Sequence, residues 1–92
     1  MIKRQEPVSE WRQDRARWKQ VYDILRQEVE RGEYKTGSPI PSLTQLEQAF
    51  PDLARNTIRK AVDRLEQEGF VRAERGVGTF VRPQDEWQPT GD

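Results

Sequence analysis

The sequence predicts a small α+β domain in which three helices precede a β-hairpin. Apolar residues recur at helical spacing before residue 69, the period changes to about two after it, and glycine and proline separate the segments. The 92 residues have room for one domain. We place this domain at residues 14–83, between a flexible N-terminal arm (1–13) and a C-terminal tail (84–92).

The first predicted helix ends at Gly32, and either Ser9 or Asp14 is expected to cap its start. A segment rich in turn residues follows at 33–41, where we expect Ile40 to be buried. The apolar face of this helix consists of Trp18, Val21, Tyr22, Leu25 and Val29.

The second and third helices are short and lie close together in the sequence. Ser42 and Gln45 have the spacing of a capping box, and Pro51 is expected to end the second helix. Gly69 is expected to end the third. Two short helices joined by about four residues are typical of a helix-turn-helix. Their apolar faces consist of Leu43, Leu46, Ala49 and Phe50, then Ile58, Ala61, Val62 and Leu65.

The predicted hairpin has strands at 70–74 and 79–81, with its turn at Gly76-Val77-Gly78. Glycine suits such a tip because it accepts positive φ and lets the backbone approach a neighbour closely. We expect four apolar residues of the hairpin in the core: Phe70, Val71, Phe80 and Val81.

The residue types that are missing from the sequence exclude several function classes. With no Cys and no His, the chain cannot build a disulfide, a Ser-His-Asp triad or a typical zinc site. Gly76-Val77-Gly78 lacks the third glycine and the following helix of a dinucleotide-binding loop. We therefore expect neither an enzyme nor a cofactor. No apolar run is long enough to span a membrane and no signal peptide is visible, so we expect a cytoplasmic protein.

The formal net charge is zero, but basic residues concentrate in the third helix and the hairpin. Residues 54–82 carry seven basic and four acidic side chains. Opposite its apolar face, the third helix presents Arg55, Asn56, Arg59 and Lys60 near its N-terminus, where backbone N–H groups also favour an anion. Arginine pairs with guanine and asparagine with adenine in the major groove. This pattern favours DNA binding, and a merely solvated polar face is the alternative.

The hairpin strengthens the DNA-binding interpretation because basic residues flank its glycine tip. Arg75 precedes the tip, and Arg72 and Arg82 lie on the two strands. Such a tip can lie along the neighbouring minor groove or the phosphate backbone. The alternative is a hairpin that only closes the core and carries arginines for solubility.

The order of these elements resembles the winged-helix DNA-binding domain of the GntR family of bacterial transcription regulators. The resemblance covers about residues 18–81 and rests on several blocks: Gly32-Glu33-Tyr34, Ile40-Pro41-Ser42, Glu68-Gly69-Phe70 and the GVGTFV run of 76–81. It implies a winged helix-turn-helix fold and a transcription regulator, in particular a repressor, that binds double-stranded DNA. A homodimer on a palindromic operator is also expected.

The resemblance, together with the charge pattern, gives a set of candidate DNA-binding residues. The start of the third helix would enter the major groove, the wing tip would lie at the minor groove, and Ser42 would bond a phosphate or simply cap its helix. The full set is Ser42, Thr44, Arg55, Asn56, Thr57, Arg59, Lys60, Arg72, Arg75, Gly76 and Gly78.

The sequence departs from the family pattern in four respects. Thr44 lies where the family often has a DNA-contacting arginine, and the turn at residues 51–54 is one residue longer than usual. Ala54 replaces a serine or threonine, which removes a helix cap worth about 1 kcal/mol. About ten residues follow the wing, so no small-molecule effector domain is expected within this chain.

A winged helix that binds protein instead of DNA is the second function we consider. Trp11 and Trp87 lie outside the expected core and would suit a partner surface if they are exposed. The alternative for both is packing against the domain's own first helix.

Overall fold

A computed structural model of the chain describes residues 11–89, and its order of elements is the predicted one. Residues 1–10 and 90–92, which include most of the predicted arm and the end of the predicted tail, lie outside the described residues. The predicted α+β winged helix-turn-helix is confirmed. Its elements are α1 (Arg17–Glu30), α2 (Leu43–Ala49), α3 (Arg55–Gln67), β1 (Val71–Glu74), β2 (Gly78–Val81) and a 3₁₀ turn (Gln84–Glu86).

Helix α1 starts without a side-chain cap. Ala16 is the N-cap residue, so the expectation that Asp14 caps the helix is wrong. The Asp14 carboxylate instead accepts hydrogen bonds from the Arg12 guanidinium, at 2.7 and 3.0 Å. The alternative cap, Ser9, lies outside the described residues. Gly32 follows the last turn with φ of 80°, as predicted for a terminating glycine.

Helix α2 begins with the predicted capping box. The Ser42 hydroxyl accepts from the Gln45 amide at 3.2 Å, and the Gln45 side chain accepts from the Ser42 amide at 2.9 Å. The helix ends at Ala49, slightly before the expected break at Pro51. Helix α3 begins at Arg55 with Ala54 as a cap residue that makes no side-chain hydrogen bond, as the sequence predicted.

The core lies where α1 crosses α3, with α2 and the hairpin closing its ends. The largest fully buried apolar side chains include Phe50, Phe70 and Leu46. Ile40 is buried as expected. Tyr34 is also buried, and its hydroxyl donates to the Glu28 carboxylate at 3.0 Å. The buried apolar residues of α1 and α3 match the predicted faces: Val21, Tyr22, Leu25, Val29, Ile58, Ala61 and Leu65.

The hairpin is antiparallel and pairs Arg72 with Phe80 and Ala73 with Thr79. Segment 37–40 runs along the other edge of β2, where the Ile40 amide donates to the Thr79 carbonyl at 2.8 Å. Val71 and Val81 are buried as predicted, whereas the expectation that Phe80 belongs to the core is wrong. Neighbouring residues of a strand point to opposite faces, so Phe80 lies on the outer face, half-buried.

Both tryptophans near the ends of the domain pack against it, which is the alternative that the sequence offered to an exposed partner surface. Trp11 is 9% exposed, lies 6.0 Å from the Phe50 ring and donates to the Asp52 carboxylate at 2.7 Å. Trp87 is half-buried, 5.1 Å from the Phe70 ring. Its indole N–H donates to the Arg82 carbonyl at 2.9 Å.

Candidate nucleic-acid interface

A cleft of about 470 Å³ lies between the two helices of the helix-turn-helix and the hairpin. The start of α2 forms one wall, Arg55 at the start of α3 borders the cleft, and the wing tip forms the other wall. Three sequence segments far apart in the chain therefore meet at one surface. The lining residues are Ser42, Leu43, Thr44, Arg55, Ala73, Glu74, Gly76, Val77, Gly78 and Thr79.

The first turn of α3 presents polar side chains to solvent because its apolar residues are held in the core. Arg55, Asn56 and Arg59 are exposed and Thr57 is half-buried, while Ile58 is fully buried. The first intrahelical bonds run from the Thr57 and Ile58 amides to the Ala54 carbonyl, at 3.0 and 3.3 Å. The amides that precede them point out of the helix end, where they favour an anion.

Arg55 connects the two helices of the motif through an ion pair that sequence reasoning missed. Its Nη1 lies 2.7 Å from Oε1 of Glu47, which belongs to α2. Both side chains are partly exposed, Arg55 by 49% and Glu47 by 35%. One signal in the sequence could have found this pair. Glu47 follows the candidate residue Thr44 by three positions, so both lie on the same face of α2.

Lys60 lies on a different side of α3 from the cleft. Its Nζ lies 4.8 Å from the centre of the Trp18 ring on α1, a cation–π contact. Lys60 and Trp18 line a small depression together with Asp63 and Arg64. The structure therefore does not bring Lys60 together with Arg55 and the wing.

The wing divides its predicted residues between two faces. Ala73 and Thr79 face the cleft, whereas Arg72 pairs with Phe80 on the outer face and forms an ion pair with Glu74. Arg75 is exposed next to the tip. Val77 between the two tip glycines is 73% exposed. Of the eleven candidate residues, the cleft thus brings together Ser42, Thr44, Arg55, Gly76 and Gly78. The other six do not line it: Asn56, Thr57, Arg59, Lys60, Arg72 and Arg75.

A second groove, of about 650 Å³, lies along the outer face of the wing and was not predicted. Phe80, Val77 and Pro83 give it an apolar floor, and the ion-paired Arg72 and Arg82 border it. The groove exists because Phe80 faces away from the core. Its signal in the sequence is the adjacent apolar pair Phe80-Val81, since only one of the two can face inward.

Within residues 11–89, three or more acidic side chains do not come together in a way that would hold a metal ion. The same part of the chain contains no helix with the length and apolar character that crossing a membrane requires. The polar side chains that line the cleft are the Arg55 guanidinium, the hydroxyls of Ser42, Thr44 and Thr79, and the Glu74 carboxylate. These groups recognise phosphates and base edges.

Comparison with known proteins agrees with this geometry. The family model of the bacterial regulatory proteins of the gntR family matches residues 17–81. An HTH-type transcriptional regulator of Rhizobium meliloti (strain 1021), RB1450, is 36% identical over 70 residues, which cover 76% of this chain. The mannosyl-D-glycerate transport/metabolism system repressor MngR of Escherichia coli (strain K12) is 30% identical over 67 residues, or 73% of this chain. The chain spans 28% of the length of each relative.

A solved structure extends the comparison to three dimensions. The DNA-binding domain of AraR in complex with operator ORX1 is 32% identical and superimposes with a TM-score of 0.70, covering 84% of this chain and 89% of that one. The matching family consists of DNA-binding transcription regulators, so this chain is not an enzyme. The chain belongs to the gntR family of bacterial regulatory proteins, and its three helices and hairpin are the winged helix-turn-helix DNA-binding domain of that family.

Proposed function

We propose that the chain binds double-stranded DNA in a sequence-specific way, with the start of α3 in the major groove and the wing at the neighbouring minor groove or backbone. The observation that carries this proposal is the cleft that brings Arg55, the start of α2 and the glycine tip to one surface. The AraR domain of similar fold is in complex with an operator, which supports the same partner for this chain.

The candidate residues divide by the groups that they would contact. Arg55, Asn56, Thr57 and Arg59 would read base edges, because they occupy the exposed first turns of α3. Ser42 and Thr44 would contact phosphates at the start of α2, and Arg75 would do so at the wing tip, where Gly76 and Gly78 allow close approach. Lys60 and Arg72 would contribute more peripheral phosphate contacts, because Lys60 lies over the Trp18 ring and Arg72 lies on the outer face of the wing.

We further propose a repressor that binds as two copies on a palindromic operator. The repressor role is supported by the name of the relative MngR. A single DNA-binding module buries only about 600–1,000 Å² of protein surface, which favours paired modules for tight binding. Two-fold symmetric half-sites follow from such pairing.

Selection of bound duplexes from a random pool tests the proposal directly. We expect a motif with two inverted half-sites. Because roughly four to five phosphates would be contacted per protomer, log K against log salt concentration should have a slope of about −4 for each bound protomer. Arg55→Ala and Arg59→Ala should each weaken binding to the selected duplex by about 1–3 kcal/mol without unfolding the domain. Failure to select any duplex, with no salt-dependent association, would contradict DNA binding and leave the protein-binding winged helix.

A further inference from the structure

We propose that Glu47 is a positioning residue for base recognition, which orients the Arg55 guanidinium so that one defined edge of it faces DNA. This inference rests on the proposed function, since it concerns how α3 selects a base pair. Its basis is the 2.7 Å contact from Arg55 Nη1 to Glu47 Oε1, made between the two helices of the motif.

The geometry of the contact determines which donors of Arg55 remain available. A guanidinium carries five N–H donors in a rigid planar fork. The hydrogen bond to Glu47 uses Nη1, on the side of α2. The opposite edge, formed by Nε and Nη2, keeps the paired donors that match O6 and N7 of guanine.

The ion pair is suited to orientation rather than to stability. Arg55 is 49% exposed and Glu47 is 35% exposed, and pairs of this kind contribute little to the free energy of unfolding. The side chain of Arg55 is long and has many rotamers when it is unrestrained. Holding it in one direction before DNA arrives removes part of the entropy that recognition would otherwise lose.

The charge of Glu47 adds a second effect on selectivity. A carboxylate beside the DNA-facing surface is repelled by the phosphates of every duplex, so it weakens binding to all sequences. Only a duplex with guanine at the base pair that Arg55 contacts offsets this repulsion, because the oriented guanidinium then bonds to O6 and N7. Glu47 therefore lowers non-specific affinity and raises the ratio of specific to non-specific binding.

The test uses a duplex selected from a random pool, the same duplex with single base-pair changes, and a duplex of random sequence. Dissociation constants are measured for the wild type, Glu47→Ala, Glu47→Gln, Arg55→Ala and the double variant Glu47→Ala/Arg55→Ala. Glu30→Gln is the matched control, because Glu30 is an exposed carboxylate that pairs with Arg26 at 3.1 Å on α1, outside the cleft. Thermal unfolding confirms that each variant is folded.

We expect Glu47→Ala to reduce discrimination at one guanine position by about fivefold to tenfold, within the range that one bidentate pair provides. Its affinity for the random duplex should rise. Glu47→Gln should retain part of the discrimination, because its amide oxygen still accepts from Nη1. Glu30→Gln should leave discrimination unchanged, and Glu47→Ala should have no further effect on it in the Arg55→Ala background.

Two results would overturn the inference while leaving the proposed function intact. In the first, Glu47→Ala strengthens binding to all duplexes equally, which makes Glu47 a repulsive charge only. In the second, Glu47→Ala reduces discrimination by the same factor in the wild type and in the Arg55→Ala background. A wild-type protein that selects no duplex at all would overturn both the inference and the proposed function.

Discussion

The backbone carbonyl oxygen of Glu86 lies 2.3 Å from the position that a Cβ atom would take on Gly69. Gly69 ends α3 with φ of 82°, and its amide donates to the Glu66 carbonyl at 3.0 Å. The next amide, of Phe70, donates to the Leu65 carbonyl at 3.0 Å, which completes a Schellman motif. Glycine is therefore required here both for its backbone conformation and for the close approach of residues 84–88.

Gly69→Ala and Gly32→Ala should separate these two requirements. Gly32 ends α1 with φ of 80° but has open space around its α-carbon. We expect Gly32→Ala to lower the free energy of unfolding by about 1–2 kcal/mol for the backbone conformation. Gly69→Ala should lose about 1–3 kcal/mol more, because the Glu86 backbone must shift. Urea denaturation measures both, and equal losses would contradict the crowding at Gly69.

A serine at the N-cap position of α2 or α3 should raise the free energy of unfolding. We expect Ser42→Ala to destabilise the domain by about 1 kcal/mol, because it removes half of the capping box. Ala54 has φ of −71° and ψ of 152°, close to the −69° and 166° of Ser42. Ala54→Ser should therefore cap α3 and stabilise the domain by about 0.5–1 kcal/mol. Thermal unfolding of the two variants and the wild type checks both signs.

Tyr22 should make stability depend on pH in the alkaline range. Burial, together with the hydrogen bond to the Glu68 carboxylate, raises the pKa of Tyr22 from its ordinary value of 10.0 to about 12. The folded state thus favours the protonated phenol, whose contribution is complete below about pH 10 and is lost as the pH rises through about 12.

We expect the free energy of unfolding of the wild type to fall by about 2 kcal/mol across this range relative to Tyr22→Phe. Urea titrations of both proteins at several alkaline pH values give the difference, in which the deprotonation of other groups largely cancels. Parallel curves for the two proteins would show that Tyr22 does not titrate with a raised pKa.

The two faces of the wing should differ in their effect on DNA binding. Arg72 lies on the outer face in an ion pair with Glu74, whereas Arg75 is exposed beside the tip. We expect Arg75→Ala to weaken binding to every duplex and to reduce the salt slope by about 1, as the loss of one phosphate contact does. Arg72→Ala should change the binding free energy by about 0.5 kcal/mol or less. Fluorescence anisotropy at several salt concentrations distinguishes them, and a larger effect from Arg72 would place DNA on the outer face.

The fold was predictable because local signals and the core agree. Helical spacing identified the buried residues of α1 and α3, and the Ser42–Gln45 spacing identified the start of α2. The candidate DNA-binding residues and the domain boundaries at 13 and 83 stay predictions. The structure nevertheless shows that Trp11, which precedes the first boundary, and Trp87, which follows the second, both pack against the domain.

The contacts that the sequence did not reveal depend on how separate segments of the chain pack together. The Trp11–Asp52 bond joins residues 41 positions apart, and the Arg55–Glu47 pair requires the angle between two helices. No periodicity encodes such distances. Phe80 was misplaced for a different reason, because apolar character was taken for burial although its strand alternates between two faces.

Trp87 and Gln88 attach the segment after the wing to the carboxyl end of α3. The Gln88 amide donates to the Glu68 carbonyl at 2.7 Å, and the Trp87 ring rests on Phe70 at the end of α3. Whatever is attached beyond residue 89 therefore leaves the domain next to the carboxyl end of α3, at the opposite end of that helix from the first turn that we propose reads DNA.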